Sequence, residues 1–531
     1  MTEQPIYVVK DTHTNKQKSP QRQNIDAAKI VAQTIKSTLG PKGMDKLLVN
    51  SMNEITITND GVTILEELEL QHPIAKMIVD IARTQEDEVG DGTTTAVILA
   101  GELLSRAEEL LQRNIHPTLI TKGFLLASEK ALIELDKKAL PLTITDKESL
   151  EKIVKTAMTG KGAEVAKEVL AKIVVEAVLI SKSKEYVTVQ SKVGHSVEHS
   201  KIIRGLIIDK TRVHVDMPLK ITSAKIALLN CSLEVKESDA DTKVSITNPS
   251  QLKEFIDQEE LYIKELVKKI KAVGANVVFC QKGIDELAQY YFAKEGIFAV
   301  RRMRQSDMEA ISFSTGSKIV YDVADLHASH LGVADVEESS KSDPYIMITN
   351  TKNDSVATIF ISGGTPHVAK EAVRAVEDAL GDLFSVIKSK KIVAGAGAIE
   401  IALARELLLY AKTFSGREQL AIEAFAKSLE VIPKTLAENA GLDAIDVSTT
   451  LYAAHEKGDT FAGLDINTGK SLDAMKEGII EPIDVKRQAI VSATEVANMI
   501  LRIDDVIATS VEQEVPLQNQ RKPNVTFPDN L

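Results

Sequence analysis

Four short segments, far apart in the chain, make chemical sense only if folding brings them together. They are TLGPKG at Thr38–Gly43, NDGVT at Asn59–Thr63, GDGTTT at Gly90–Thr95 and GAGA at Gly395–Ala398. Gly lets backbone N–H groups approach a ligand closely, Thr offers hydroxyls, and Asp60 and Asp91 offer carboxylates. Phosphate with its metal ion is bound by that combination. Three segments lie in the first hundred residues and the fourth some three hundred residues later. A single site drawn from both ends requires the chain to leave its phosphate-binding domain, build something else and return.

The 531 residues are enough for roughly three or four domains. Hydrophobic residues make up 44%, aromatic residues only 4%, and Trp is absent. The cores must therefore be aliphatic, and the Ala, Ile, Leu and Val of each periodic segment favour helix-rich α/β architecture. A net charge of −12 argues against a general nucleic-acid binder, which shows a basic face. Cys231 and Cys280 both sit in apolar runs, which reads as buried thiols in a reducing compartment. No apolar run approaches the roughly 20 residues of a membrane span. The first residues, MTEQPIYVVKDTHTNKQK, lack a signal peptide's apolar core. A cytoplasmic protein is expected, and the sequon Asn524-Val525-Thr526 is read as chance.

Residues 1–23 are polar apart from a strand-like run at Ile6–Val9. From Asn24 an apolar stripe of Ile25, Ala28, Ile30, Ala32 and Ile35 predicts a helix ending at Leu39. Gly40 accepts a left-handed cap there and Pro41 cannot continue the helix. A hairpin-like stretch, LLVN then EITITND, leads to helical segments around 73–88, 93–113 and 117–138. Residues 139–212 mix helix (Leu150–Thr156, Ala163–Leu179) with strand (Val187–Gln190, Gly205–Ile208). Residues 213–362 alternate strand and helix and read as a separate α/β domain. After Gly363-Gly364 the chain turns helical to Asp382, enters GAGA, and is largely helical from Ile401 to Ile507. This return to helix supports a nested layout: an inner domain inserted in a middle one, itself inserted in an outer one.

GDGTTT runs directly into AVILAGELL, so Thr93–Thr95 would open a helix whose unpaired N–H groups and dipole favour phosphate. Asp91 could orient Mg2+. Each segment also has a plainer reading. Asp91 or Thr93 could simply cap the helix, NDG could be a tight turn, GPKG a C-cap with its loop, and GAGA a strand-to-helix turn. None fits GxxxxGK[ST], so a Walker-type ATPase is not supported.

Taken together, the segments closely resemble those of the group II chaperonins, the archaeal thermosome and the eukaryotic cytosolic chaperonin. The match is collinear from about Asn24 to Ile507, and the archaeal thermosome is the nearer of the two. It is carried by TLGPKGMDK, ITNDGVTIL, HPIAKMIVDIA, EVGDGTTTAVILAGELL, IHPTLITKGF, TGKGAE, ANVVFCQKGIDELAQYYFAKEGIFAVRR, SGGT, GAGAIE, KTLAENAGLD and IIEPIDVKRQAIVSATEVANMILRIDDVI. The resemblance implies the multidomain chaperonin fold, with α+β and α/β parts. A mostly helical equatorial ATP-binding domain would take residues 1–144 and 402–531. A small intermediate hinge domain would take 145–212 and 363–401, and an inserted α/β apical domain 213–362, with a helical lid at about 241–272. It also implies an ATP-dependent chaperone that binds unfolded or partly folded proteins and encloses them. The same or sister subunits would form two stacked rings of eight or nine. ATP or ADP, Mg2+ and K+ would be the small-molecule partners, with no membrane and no specific nucleic acid.

The family's roles carry over where residues match. Leu39, Gly40 and Pro41 would lie against the phosphates and ribose. Gly92, Thr93, Thr94 and Thr95 would cradle phosphate, and Asp91 would bind Mg2+. Asp378, in VEDAL, matches the catalytic Asp of the middle domain, and Asp60 would position the attacking water or a second ion. Lys161, in TGKGAE, matches the lysine that senses the γ-phosphate. Gly395, Ala396 and Gly397 would flank the ribose, Glu481 would bond its hydroxyls, and Lys486 completes the nucleotide-binding set. Without the resemblance, Asp378 reads as a solvated helix residue near Glu377 and Asp382.

Asn248-Pro249-Ser250-Gln251 is a helix start, with Asn as N-cap and Pro at the first helical position. Leu252, Phe255, Ile256, Ile263, Leu266, Val267 and Ile270 follow at helical spacing. The resemblance makes this stretch the lid's protrusion. It sets the client surface between this helix and a second, Asp285–Lys294, with Leu252, Phe255, Ile256, Gln289 and Tyr290 as contacts. The plainer expectation packs Leu266–Ile270 on their own domain and puts Leu287 and Phe292 in the core.

The chain departs from the family in three places. Gly395-Ala396-Gly397 replaces three glycines, Ser362 replaces an Arg before Gly-Gly-Thr, and the end reads QNQRKPNVTFPDNL instead of a Gly/Met-rich repeat. These keep a second reading open: a non-hydrolysing or weakly hydrolysing accessory subunit of a ring or filament. Retained Asp60, Asp91 and Asp378 favour the folding machine. A small-molecule kinase would need an acceptor-pocket motif, and none is found.

Overall fold

The computed structural model describes residues 20–50, 52–68, 70–181, 183–234, 249–339 and 344–505. The run Ile6–Val9, the Asn248 cap and the side chains of Leu252, Phe255 and Ile256 lie outside what it describes.

Helix Pro20–Lys36 buries Ile25, Ala28, Val31, Ala32 and Ile35. The helical period carries the inner face through Val31, so Ile30 is 66% exposed rather than part of the stripe. The helix ends at Lys36 instead of Leu39, because Thr38 turns back and gives both its N–H and its hydroxyl to the Ile35 carbonyl. Helices Pro73–Val89 and Pro117–Lys138 start alike: the rings of His72 and His116 accept the N–H two residues on, and Pro follows. Helix Thr93–Gln112 is buried along most of its length. These helices share one aliphatic core with Ala398–Ala411, Arg417–Leu429 and Ile483–Leu501, around Ile78, Leu99, Phe124, Leu407 and Phe425. Both ends of the chain thus build the same body.

A second core gathers Ile153, Val174, Ile359, Val376 and Leu383 from Lys147–Met158, Lys167–Ser181, Ala357–Gly363 and Pro366–Ser389. Ala357–Gly363 is the central strand of its sheet, between Val187–Val193 and Lys201–Arg204. Ser362 is buried there, its N–H given to Ser200 Oγ at 3.1 Å. Helix Pro366–Ser389 runs past the expected stop at Asp382 and ends where Lys390 turns left-handed.

The inner region is a seven-stranded sheet with a core on each face. Its strands run in the order Leu206–Ile208, Ile346–Thr349, Gly332–Glu338, Lys220–Leu229, Val277–Cys280, Phe298–Val300, with Ile319–Val320 beside Lys220–Leu229. Cys280 is buried in it, and burial pushes its thiol up to about 12. On helix Pro249–Ala272, Ile263, Val267 and Ile270 are buried, while Leu261 and Tyr262 stay exposed.

A small sheet of Ile480–Pro482, Lys391–Ala394 and Leu140–Pro141 ties distant parts together. It sets Glu481 opposite Val393, next to GAGA. No helix among the described residues is long and apolar enough to cross a membrane.

Candidate functional site

One cavity of about 1060 Å³ is lined by residues of all four glycine segments. Asp91 and Gly92 on its wall belong to the turn Gly90-Asp91-Gly92, with Gly90 at φ 82° and Gly92 at φ 80°, a conformation that costs Gly no Cβ clash. Gly92 begins helix Thr93–Gln112 without any side-chain cap. Neither Asp91 nor Thr93 plays that part, so the first N–H groups of the helix are left for an anion. Asp91 Oδ1 accepts the Gly92 N–H at 2.7 Å. Gln85 Nε2 donates to the Asp91 carbonyl at 2.8 Å and to the Val485 carbonyl at 3.2 Å, which steadies the turn.

NDG is not a free turn. Asp60 caps helix Gly61–Glu67, its Oδ2 accepting the Thr63 N–H at 2.9 Å and hydroxyl at 2.6 Å. A Cβ on Gly61 would lie 2.7 Å from Thr94 Oγ1, so Gly is what lets this helix begin against GDGTTT.

The middle core supplies two further groups. Gly381 meets Gly90 backbone to backbone: a Cβ on Gly381 would fall 2.7 Å from Gly90 Cα. That contact carries Asp378, a turn earlier, to the site, where it is 6% exposed and paired with Lys161. The solvated-helix reading of Asp378 is therefore wrong, because its face of the helix packs inward. Lys161 Nζ also lies 3.4 Å from Asp91 Oδ1. A Cβ on Gly160 would lie 2.6 Å from the Gly40 carbonyl, so the Lys161 loop leans directly on Leu39-Gly40-Pro41. Burial pushes the Asp378 carboxyl up to about 7, against the pull of Lys161 and with the charges of Asp91 and Asp60. Burial alone would lower Lys161, but Asp378 and Asp91 hold it well above the usual lysine range.

At the far end, GAGA turns from strand Lys391–Ala394 into helix Ala398–Ala411. The Gly395 N–H donates to the Ile479 carbonyl at 2.9 Å, and a Cβ there would lie 2.8 Å from Glu481 Oε1. Ala396 holds a left-handed φ of 54°. Lys486 Nζ lies 2.7 Å from Glu481 Oε2 and 2.8 Å from Glu400 Oε1. It reaches the cavity wall already paired, so it holds Glu481 rather than offering a free cation.

Several residues here escaped the sequence reading. Asp382 lies on the cavity wall, 3% exposed, and its Oδ1 has no hydrogen-bond partner. Its spacing of four from Asp378 was the available signal. Glu86, one turn before Gly90, is pushed up to about 8 by burial and by Asp378, Asp60 and Asp91. The hairpin of Ala462–Leu464 and Ser471–Asp473 adds Leu464, Asp465 and Asn467 to the wall, and only turn-forming residues hinted at it.

The expected client residues lie in the seven-stranded region. Helix Glu286–Lys294 turns Ala288, Gln289, Tyr291 and Phe292 inward. Gln289, expected on the client surface, is buried here, its side-chain amide N–H donating to the Ile284 carbonyl at 2.7 Å. Tyr290 is 52% exposed, and Leu287 is 41% exposed, on the outer face instead of in the core.

The sequence matches the TCP-1/cpn60 chaperonin family over residues 31–510. It is 51% identical over 517 residues to the thermosome subunit beta of Archaeoglobus fulgidus, covering 95% of each chain. A thermosome subunit of Methanopyrus kandleri is 52% identical over 499 residues, 92% of each chain. One of Methanocaldococcus jannaschii is 53% identical over 498 residues, again 92% of each. A match of that extent spans the helical core, the middle core, the seven-stranded sheet and every segment of the cavity. The chain belongs to the TCP-1/cpn60 chaperonin family, as a group II chaperonin subunit similar throughout to archaeal thermosome subunits.

Proposed function

We propose that the cavity binds and hydrolyses ATP, and that this hydrolysis drives a protein-folding cycle. The observation that carries the reading is the meeting of an uncapped helix start, Thr93–Gln112, with the Lys161–Asp378 pair brought by another part of the chain. The triphosphate would lie on the N–H groups of Gly92, Thr93, Thr94 and Thr95 and against Leu39, Gly40 and Pro41. The ribose would sit by Gly395, Ala396 and Gly397, with Glu481 accepting from its hydroxyls and Lys486 fixing Glu481.

Asp91 would hold Mg2+, whose charge offsets that of the phosphates. The residues fit, because Mg2+ at phosphate sites takes one or two carboxylates and completes its shell with phosphate oxygens and water. Among the described residues no group of three or more side chains is arranged to hold a metal unaided. Lys161 would leave Asp378 for the γ-phosphate. Asp378, freed, would take the proton of the attacking water, which Asp60 orients from the wall. Hydrolysis then depends on the middle core staying closed on the helical one.

In this reading, residues 1–144 and 402–531 are the equatorial domain, 145–212 and 363–401 the hinge, and 213–362 the apical domain, with its lid at about 241–272. Copies or sister subunits would stack as two rings around an unfolded client held near Tyr290. K+ would be a second ion beside Asp60. The accessory-subunit reading has one observation in its favour, the left-handed Ala396 on the cavity wall. ATP hydrolysis by the purified assembled chain, measured with and without sister subunits and beside refolding of a denatured client, separates the two. Turnover with ATP-dependent client protection supports the folding machine; none under either condition leaves the accessory subunit.

A further inference from the structure

We propose that Asp382 is a second carboxylate for the divalent cation that accompanies the nucleotide, acting with Asp91; this rests on the ATP reading above. Asp382 follows Gly381, whose contact with Gly90 presses helix Pro366–Ser389 onto the turn that carries Asp91. It lines the same cavity as Asp91, is 3% exposed, and leaves Oδ1 without a partner. A buried carboxylate oxygen with no donor is costly unless something else completes it.

The nearby cations are already committed. Lys161 goes to Asp378 and Asp91, and Lys486 to Glu400 and Glu481. Asp91 and Asp382 line the same cavity. Two carboxylates therefore face one space beside the phosphate-binding N–H groups. That is a donor set for a hard divalent cation, with phosphate oxygens and water completing it. Two acidic residues one turn apart on the same helix thus divide the work. Asp378 meets the cavity through Lys161 and is kept for the proton, while Asp382 faces the cavity itself and is left for the ion.

Mn2+ is the probe, followed by electron paramagnetic resonance on the assembled full-length protein with a non-hydrolysable ATP analogue. Asp382→Asn keeps size and shape and removes the charge. It is expected to weaken Mn2+ binding about tenfold or more. Metal-free nucleotide binding, measured in EDTA, should stay equal or tighten, because a repelling carboxylate has gone. Unchanged Mn2+ affinity overturns the proposal. A matching loss of metal-free nucleotide binding also overturns it, since that marks a merely structural residue. Should Asp382→Asn fail to assemble, Asp382→Glu decides: a longer carboxylate that touches the ion shifts Mn2+ affinity, and no shift overturns the idea. A parent protein that binds no nucleotide with or without metal brings down the ATP reading itself, a result distinct from the others.

Discussion

Behind the cavity wall, Gly381 and Gly90 pack so closely that a Cβ on either would lie 2.7–2.8 Å from the other's Cα. On helix Glu286–Lys294, by contrast, Leu287 and Tyr290 project outward, 41% and 52% exposed. Leu261, on the neighbouring helix, is 58% exposed. The first region is held by backbone touching backbone across segments hundreds of residues apart. The second presents apolar side chains to solvent. The difference matches the two tasks proposed for this chain. Phosphoryl transfer tolerates little displacement of its groups. A surface for unfolded chains needs adaptable apolar area, which exposed side chains on a stable helix supply. One methyl group should therefore cost more in the cavity than a whole side chain costs on the helix.

The largest expected effect is at Asp378. Asp378→Ala should keep nucleotide binding and lose about 10²–10⁴-fold in hydrolysis, the usual range for a general base. Single-turnover hydrolysis in assembled rings checks it, and an unchanged rate removes Asp378 from the chemistry. Gly381→Ala comes next. Its new Cβ must push helix Pro366–Ser389 off Gly90, and a shift of about 1 Å can cost about 10²-fold in rate. If Gly381→Ala turns over ATP like its parent, the backbone contact is not what positions Asp378. At the other region, Leu261→Ser with Tyr290→Ser should lower retention of a denatured client several-fold. Hydrolysis and melting temperature should hardly move, because exposed substitutions usually stay within about 0.5 kcal/mol. A comparable fall in hydrolysis would erase the contrast between the two regions.

Much of this was open to reading from the chain. Gly40-Pro41 announces the stop of the first helix and GDGTTT the start of another, because these residues act through local backbone geometry. The long helices therefore appear close to where the periodicity puts them. The contacts that make the site are not local. Nothing around Gly381 says that it will lie on Gly90, and without that contact Asp378 looks solvated and Asp382 looks like a helix end. Ile30, Leu287 and Gln289 went astray for a smaller reason: one residue is 100° of helix, and apolar spacing alone does not fix which flank faces inward. The roles of Lys161, Glu481 and Lys486 came from family resemblance, since the spacing of single charged residues carries no such information.

The cluster around Asp378 also makes a pH prediction. Glu86 is raised to about 8, so between roughly pH 4.5 and 8 the folded protein binds more protons there than the unfolded chain. Stability of the nucleotide-free protein should then fall as pH rises through that window. Glu86→Gln removes the titration. Its melting temperature should match the parent near pH 5 and exceed it by pH 8. An advantage that is constant across that range would mean that Glu86 is not strained by its acidic neighbours.

The smallest effect is expected at Ala396, and it bears on which reading of the chain holds. A non-Gly residue in the left-handed region costs roughly 1–2 kcal/mol. Ala396→Gly relieves that strain but gives the unfolded chain more freedom, roughly 0.5–1 kcal/mol of loss. The net should be a gain of about 1 kcal/mol or less, read as a small rise in melting temperature. Hydrolysis should stay within about twofold, because the carbonyl of Ala396 is held by the Leu464 N–H at 2.9 Å and the turn keeps its shape with either residue. Steady-state hydrolysis of the variant beside its parent checks this. A tenfold gain would mean that the methyl obstructs the nucleotide, and the weakly hydrolysing accessory subunit would then be the better description of this chain.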